Sequence, residues 1–246
     1  LAHYLKKPFI AVNHLEGHAL SIKLEQKINY PYLLLLVSGG HTEFTIIKNF
    51  NSYKRVGTTI DDALGEAFDK AARLLKMGYP GGPEIEKYAA LGDEHRFQLP
   101  MPLIHESNAH FSFAGLKSAV ANIVAKNRCT EKFKKDMAAS FQATINRIIF
   151  NKTQNAIREY KRVVKSKNSL KIVVAGGVAA NKSIRHSLKS LESIEDCQFL
   201  FPSIKYCTDN GAMIAYAGMQ RLKAGETLPL SSKAKPRWPL DELTAI

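Results

Sequence analysis

Tyr32-Leu33-Leu34-Leu35-Leu36-Val37-Ser38-Gly39-Gly40-His41-Thr42-Glu43-Phe44-Thr45-Ile46-Ile47 is the stretch from which the fold is read. Tyr32 to Val37 is a continuous apolar run of strand length, far short of the roughly 20 residues a membrane helix needs. Ser38-Gly39-Gly40 is a turn that tolerates positive φ, and Thr42 to Ile47 alternates as a second strand. The unit is therefore a hairpin with glycines at its tip. A related pattern recurs downstream. Lys171 to Ala175 reads as a buried strand running into Gly176-Gly177 and a helix through Leu191. Cys197 to Phe201 reads as another strand, followed by a Thr208-Asp209-Asn210 cap and a helix from Gly211 to Lys223. Strand, turn and helix twice in succession predict an α/β fold with parallel pairing in this half.

Outward from these units, Pro8 to Val12 reads as a short buried strand, and Asn13 caps a helix through His14, His18 and Ile22. Thr59 to Leu75 has the spacing of a helix, with Thr59 and Asp62 as a capping box. Pro83 is placed as the first residue of a helix through Ala90. Residues 92–115 read as loop, Lys117 to Lys126 as helix, and Phe133 to Val164 as one long or once-broken helix with Met137, Phe141, Ile145 and Ile148 on its core stripe.

The chain has 246 residues, 45% hydrophobic and 23% charged, the balance of an ordinary globular protein. Lys plus Arg outnumber Asp plus Glu by 35 to 22, a net charge of +13, which suits a polyanionic partner and equally a solvated lysine surface. Cys129, Cys197 and Cys207 form no CxxC pair and fit a reduced, cytoplasmic setting. Leu1 opens into a basic segment without signal-peptide architecture.

Several residue sets can carry chemistry. His14 and His18 lie four apart on a predicted helix, so their imidazoles face one way, as a metal pair or as two surface histidines. With Glu16 between them the motif is H-x-E-x-H. In the H-E-x-x-H of zinc peptidases the glutamate occupies another helix face, so a peptidase is disfavoured. Asp209 is the candidate third ligand, with an N-cap as the alternative. Ser38-Gly39-Gly40 can cradle an anion with backbone amides, and Gly176-Gly177 can admit a nucleotide at a helix N-terminus. Each also serves as an ordinary tight turn. Asp61, Asp62, Glu66 and Asp69 form an acidic helix face, and Gly81-Gly82 a third glycine turn. Lys132, Lys134, Lys135, Arg158, Lys161, Arg162 and Lys165 are candidate phosphate contacts.

Seven segments occur together and in order: Asn13 to His18, Leu35 to Thr42, Asp61 to Lys70, Tyr79 to Pro83, Phe111 to Lys117, Ala175 to Asn181 and Cys207 to Met213. In these the chain resembles the bacterial-type tRNA N6-adenosine threonylcarbamoyltransferases, the TsaD family. The resemblance runs from about Phe9 to Lys235-Pro236-Arg237-Trp238-Pro239-Leu240. It implies the actin-like, sugar-kinase and Hsp70-like (ASKHA) two-lobed α/β fold, N-terminally truncated by roughly a hundred residues. On that reading residues 1–130 are the remainder of the first lobe, with the glycine-tipped hairpin and a helical insertion. Residues 131–246 are then the second lobe, with the Gly-Gly-Val nucleotide loop and the C-terminal helix.

The resemblance implies a metal, iron or zinc, on His14, His18 and Asp209. It places Leu36, Val37, Ser38, Gly39, Gly40, Asp69, Gly82 and Asn181 around threonylcarbamoyl-AMP as co-substrate. The implied reaction transfers the threonylcarbamoyl group to N6 of adenosine 37 in tRNAs reading codons that start with A, with release of AMP. His41 is the candidate general base. Implied partners are tRNA, a non-catalytic relative (TsaB) and a small P-loop ATPase (TsaE). The competing readings are an actin-like ATP hydrolase or phosphotransferase, and a truncated non-catalytic module that binds RNA or a partner.

Overall fold

The computed structural model describes residues 1–165 and 169–243. Five strands form one sheet in the order β3-β2-β1-β4-β5: β1 (Tyr32–Val37), β2 (Thr42–Asn49), β3 (Ser52–Thr58), β4 (Leu170–Ala175) and β5 (Cys197–Leu200). The first three are antiparallel neighbours, whereas β4 pairs parallel to β1 and β5 parallel to β4. The helices are α1 (His14–Leu20), α2 (Leu64–Leu74), α3 (Gly81–Ala89), α4 (Ala114–Ala125), α5 (Glu131–Val163), α6 (Lys182–Lys189), α7 (Ile204–Cys207) and α8 (Gly211–Lys223).

All six residues of β1 are buried, because both faces of the sheet are covered. Leu33, Leu35 and Val37 join a core with Phe68 of α2 and Met137, Phe141, Ile145 and Ile148 of α5. Tyr32, Leu34 and Leu36 turn to the other face, where Leu15 and Ala19 of α1 and the C-terminal Leu240 and Leu243 cover them. Covering one such leucine is worth about 1.5–3 kcal/mol. The 33-residue α5 is unbroken and is capped by Thr130, whose side chain accepts from Phe133 N.

Several local expectations are corrected. Pro8 to Val12 is no buried strand: only an isolated bridge from Phe9 to Leu228 forms there. β2 does not alternate, since its first six residues are all buried. β3, which the sequence pattern does not announce, extends the hairpin into a meander. α2 begins at Leu64 rather than Thr59, whose hydroxyl donates to the Asp62 carbonyl and whose backbone bridges Phe111. Leu64 N instead donates to Thr42 Oγ1 (2.8 Å) and Gly65 N to the Ser38 carbonyl (3.1 Å), docking the hairpin turn on the start of α2. α3 begins at Gly81, two residues before Pro83. The expected boundary at 130/131 does not separate one sheet from another, because β1 hydrogen-bonds directly to β4; the end of the second segment, 244–246, lies outside the described residues.

The glycines of the hairpin tip are also not where the backbone demands glycine. Positive φ occurs instead at Gly176 (+96°), where an added Cβ would lie 2.3 Å from the Val37 carbonyl oxygen. Gly65 is sterically required too, since its Cβ would fall 2.8 Å from Gly39 Cα. Space around Gly39 and Gly40 is open. Gly176→Ala is therefore expected to lose more than about 2 kcal/mol in chemical denaturation, whereas Gly40→Ala should stay within about 0.5 kcal/mol.

Candidate active site

The parallel pairing of Leu36 with Ala175 ends β1 and β4 at the same level, so the turns that follow them are neighbours. Into this end of the sheet project the α2–α3 connection and the start of α6. Together they enclose a cavity of about 380 Å³ lined by Gly39, Asp69, Gly82, Gly177, Asn181 and Thr208, among others. The three glycine turns thus converge on one cavity, at the carboxyl ends of strands where sheet direction switches.

The predicted donor-site residues do different things. Asp69 Oδ1 accepts from Gly81 N at 2.7 Å, which leaves its second oxygen available to the cavity. Gly82 has open space where a Cβ would be. Asn181 caps α6 through Oδ1 to Ile184 N and donates to Gln142 through its amide nitrogen, so its side chain shapes the cavity wall. Ser38 Oγ accepts from Gly40 N (3.3 Å) and His41 N (3.0 Å), filling the amide nest expected to face an anion. Leu36 and Val37 are wholly buried in the two cores and present no side chain to the cavity.

Next to the turn stands the second cluster. Asn13 Oδ1 accepts from Leu15 N and Glu16 N, starting α1 so that His14 and His18 meet edge to face one turn apart, ring centroids 4.9 Å apart and planes at 87°. Asn210 caps α8 and leaves Asp209 just outside it, where Oδ1 lies 3.3 Å from His14 Nε2 and 3.0 Å from His18 Nε2. One ligand atom from each of the three residues lies within 4.8 Å of the others. Two imidazoles and a carboxylate, drawn from segments 191 residues apart, form a donor set suited to zinc or iron(II). His14 and Asp209 are exposed, which leaves the open side of such a site to a ligand.

Burial and then the neighbouring His14 lower the His18 pKa, against Asp209, whose charge and hydrogen bond raise it. For His41, at the rim, crowding by protein and then His14 lower the pKa, again against Asp209. Both rings are held toward the neutral form. A groove of about 1080 Å³ opens beside them, lined by His14, Gly40, His41, Glu43, Asp61 and the segment from Ser232 to Pro239.

Some residues have roles here that sequence pattern alone does not reveal. Asp61 belongs by spacing to an acidic helix face, yet it accepts from Phe113 N and Ala114 N and from the Ser112 hydroxyl, capping α4 from 52 residues away. Asp62 and Glu66 are both paired with Lys70. Glu16 is wholly buried and joined to Arg221. Its place between the two histidines is the one feature of the sequence that marks it. In the basic set, Lys132, Lys134, Lys161 and Arg162 each pair with a carboxylate, which reduces their availability to phosphate.

Residues 1–216 match the family model described as TsaD, tRNA N6-adenosine threonylcarbamoyltransferase. The chain belongs to that family. Relatives bearing the same description include one from Pelagibacter ubique (strain HTCC1062), 54% identical over 98% of this chain and 67% of the relative. Others are from Sphingopyxis alaskensis, 51% identical over 98% and 68%, and Rickettsia rickettsii (strain Sheila Smith), 48% identical over 99% and 71%. The chain is an acyltransferase that places a threonylcarbamoyl group on N6 of adenosine in tRNA, forming t6A.

The fold is similar to that of HypF from T. kodakarensis (TM-score 0.67, 13% identity, 91% of this chain, 38% of that one). It is also similar to full-length HypF in a phosphate- and nucleotide-bound form (TM-score 0.64, 14% identity, 91% and 38%). The architecture is the expected ASKHA-like α/β fold. Among the described residues, no helix is long and apolar enough to cross a membrane.

The shift at His18 has a direct consequence for the metal-free chain. Its folded pKa lies below the unfolded value near 6.5, so its contribution to stability is complete above that pH and is lost as pH falls through the folded pKa. An NMR titration should place the His18 midpoint below 6.5, and stability between about pH 5 and 7 should depend less steeply on pH in His18→Ala.

Proposed function

We propose that the cavity between the three glycine turns holds threonylcarbamoyl-AMP and that His14, His18 and Asp209 hold one divalent metal, iron or zinc, beside it. The observation that carries this reading is the convergence of Gly39, Gly82, Gly177 and Asp69 on one cavity next to the histidine pair. The second Asp69 oxygen accepts from ribose hydroxyls, Gly82 lets the ribose approach, and Asn181 bounds the base. The turn from Ser38 to Gly40 meets the phosphate and acyl end. Since the Ser38 hydroxyl occupies the amides of Gly40 and His41, anion binding there requires that hydroxyl to rotate away or to donate to the ligand itself.

The acceptor is N6 of adenosine 37 in tRNAs reading codons that start with A. Its lone pair is delocalised into the ring, so positioning and carbonyl activation supply much of the acceleration. Nitrogen attacks the carbamoyl carbon of the donor, the carbonyl–oxygen bond to phosphate breaks, AMP departs and N6 loses a proton. A cation bound to the triad would polarise the carbonyl as a Lewis acid. His41, held neutral at the groove rim, takes the proton. The groove from His14 to Pro239 admits the anticodon loop, with Lys233, Lys235 and Arg237 exposed along it. A cytoplasmic setting, with TsaB and TsaE as partners, completes the reading.

Two measurements test it. Asp69→Asn retains an acceptor for Gly81 N but loses the charge. Affinity for a non-hydrolysable threonylcarbamoyl-adenylate analogue should fall tenfold to a hundredfold, about 1.5–3 kcal/mol, while the melting temperature stays near wild type. Unchanged affinity in calorimetry would remove Asp69 from the ribose site. Asp69→Ala should also lose stability, since it strips the partner from Gly81 N; the cost exceeds that of an exposed helix carboxylate. Separately, AMP release from threonylcarbamoyl-AMP with tRNA should fall at least a hundredfold in His14→Ala and Asp209→Ala and after chelation, with recovery by Fe²⁺ or Zn²⁺ in wild type alone. Full activity after complete chelation would defeat the metal assignment.

A further inference from the structure

Glu16 sits midway between the two histidines of α1, about 200° around the helix from each at 100° per residue, and therefore faces away from Asp209. It is completely buried, and Arg221 of α8 is 2% exposed. The guanidinium grips the carboxylate with two bonds, Nε to Oε2 at 2.6 Å and Nη2 to Oε1 at 2.9 Å. Tyr53 of β3 donates its hydroxyl to Glu16 Oε1 at 2.7 Å. The remaining Arg221 nitrogen, Nη1, bonds Glu226, which also accepts from the Asn51 amide. Five side chains from α1, the β2–β3 turn, β3, the end of α8 and the segment after it are thus locked together, with each Glu16 oxygen occupied.

A buried ion pair of this kind is weak evidence for stability, because well-packed apolar residues can replace one at little or no cost. What an ionic fork does supply is direction. α1 is only seven residues long, and it touches α8 closely at Gly17, where an added Cβ would meet Ile214 at 3.0 Å and Met213 at 3.2 Å. The apolar packing of Leu15 and Ala19 holds α1 against the sheet but is non-directional, whereas the fork is directional. The opposite ends of α8 meet α1 differently: Asp209, ahead of the helix, meets the histidines, and Arg221, near its end, meets Glu16. Arg221 also lies beyond the stretch matched by the family model, which stops at residue 216.

We propose that the buried Glu16–Arg221 fork is a positioning device that fixes the rotation of α1 so that His14 and His18 meet Asp209 in ligating geometry. The inference rests on the metal reading of that triad. Partners that orient metal ligands, when removed, usually cost tenfold to a hundredfold in metal affinity. Replacing Arg221 by lysine keeps the charge but cannot reproduce the two parallel bonds.

The test uses the metal-free chain titrated with Co²⁺ and read by its visible ligand-field bands, with thermal melts on the same samples. Two variants are compared with wild type, Arg221→Lys and the apolar pair Glu16→Leu/Arg221→Met, so that one can fold if the other does not. Ile157→Ala, in the core on the other face of the sheet, serves as a control for destabilisation alone. The expected result is a tenfold to hundredfold loss of Co²⁺ affinity with altered bands in the fork variants, and wild-type affinity and bands in Ile157→Ala. Folded fork variants with wild-type affinity and bands would overturn the inference and leave the metal reading standing. An equal loss in Ile157→Ala would overturn it as well, by tracing the effect to stability. No Co²⁺ uptake by wild type, or undiminished uptake by His18→Ala, would overturn the metal reading and this inference with it.

Discussion

Everything at the functional end of the molecule depends on the pairing of β1 with β4. β1 is antiparallel to β2 on one side and parallel to β4 on the other, so sheet direction switches along its length. The parallel register puts Leu36 opposite Ala175, and the chain leaving each strand enters a turn at the same level. Gly176 passes so near the Val37 carbonyl that no side chain fits between them. The cavity is the space left where two strand ends lie side by side and helices approach from one face. A one-residue slip would turn every buried side chain of β1 to the wrong core and separate the two turns.

Around this end the polar groups hold the scaffold and leave the ligand side free. The hairpin turn is tied to α2 by Thr42 and Ser38, Asp69 secures the start of α3, and Asp61 caps α4. Each helix beginning near the cavity has at least one first-turn amide bonded from elsewhere in the chain: Leu64 and Gly65 by Thr42 and Ser38, Gly81 by Asp69, and Lys182 by Glu86. Asp69 lines the cavity while one of its carboxylate oxygens holds Gly81. The metal-type cluster is built differently, from a short helix and Asp209, the residue just ahead of the Asn210 cap of α8.

The strongest local patterns were legible directly. β1 has its predicted bounds because six consecutive apolar residues between turn signals suit a strand buried on both faces, and Asn13 and Asn210 cap the helices that follow them. Less legible were segments whose local preference is overruled. Thr59 and Asp62 have the spacing of a capping box, but Thr59 is drawn into a bridge with Phe111, so α2 starts five residues later. β3 carries Lys54 and Arg55 and a glycine, so it lacks a strong strand signal, and its pairing with β2 supplies the order. Pro8 to Val12 has strand composition, yet only Phe9 finds a partner.

By itself the sequence determined the residue types of the site: two histidines at helical spacing, an aspartate before a helix, and three glycine turns. Those are properties of neighbours in the chain, and period and turn chemistry suffice to read them. Only the tertiary structure decided which of them meet. His18 and Asp209, 191 residues apart, come within 3.0 Å because α1 packs against the start of α8. It also decided that Leu36 and Val37 serve the core, that the Ser38 hydroxyl fills its own turn, and that Glu16 is a buried partner of Arg221 rather than a surface charge. The physical reason is that burial, hydrogen-bond satisfaction and ion pairing depend on what lies across space, and one residue's position in the chain does not specify that.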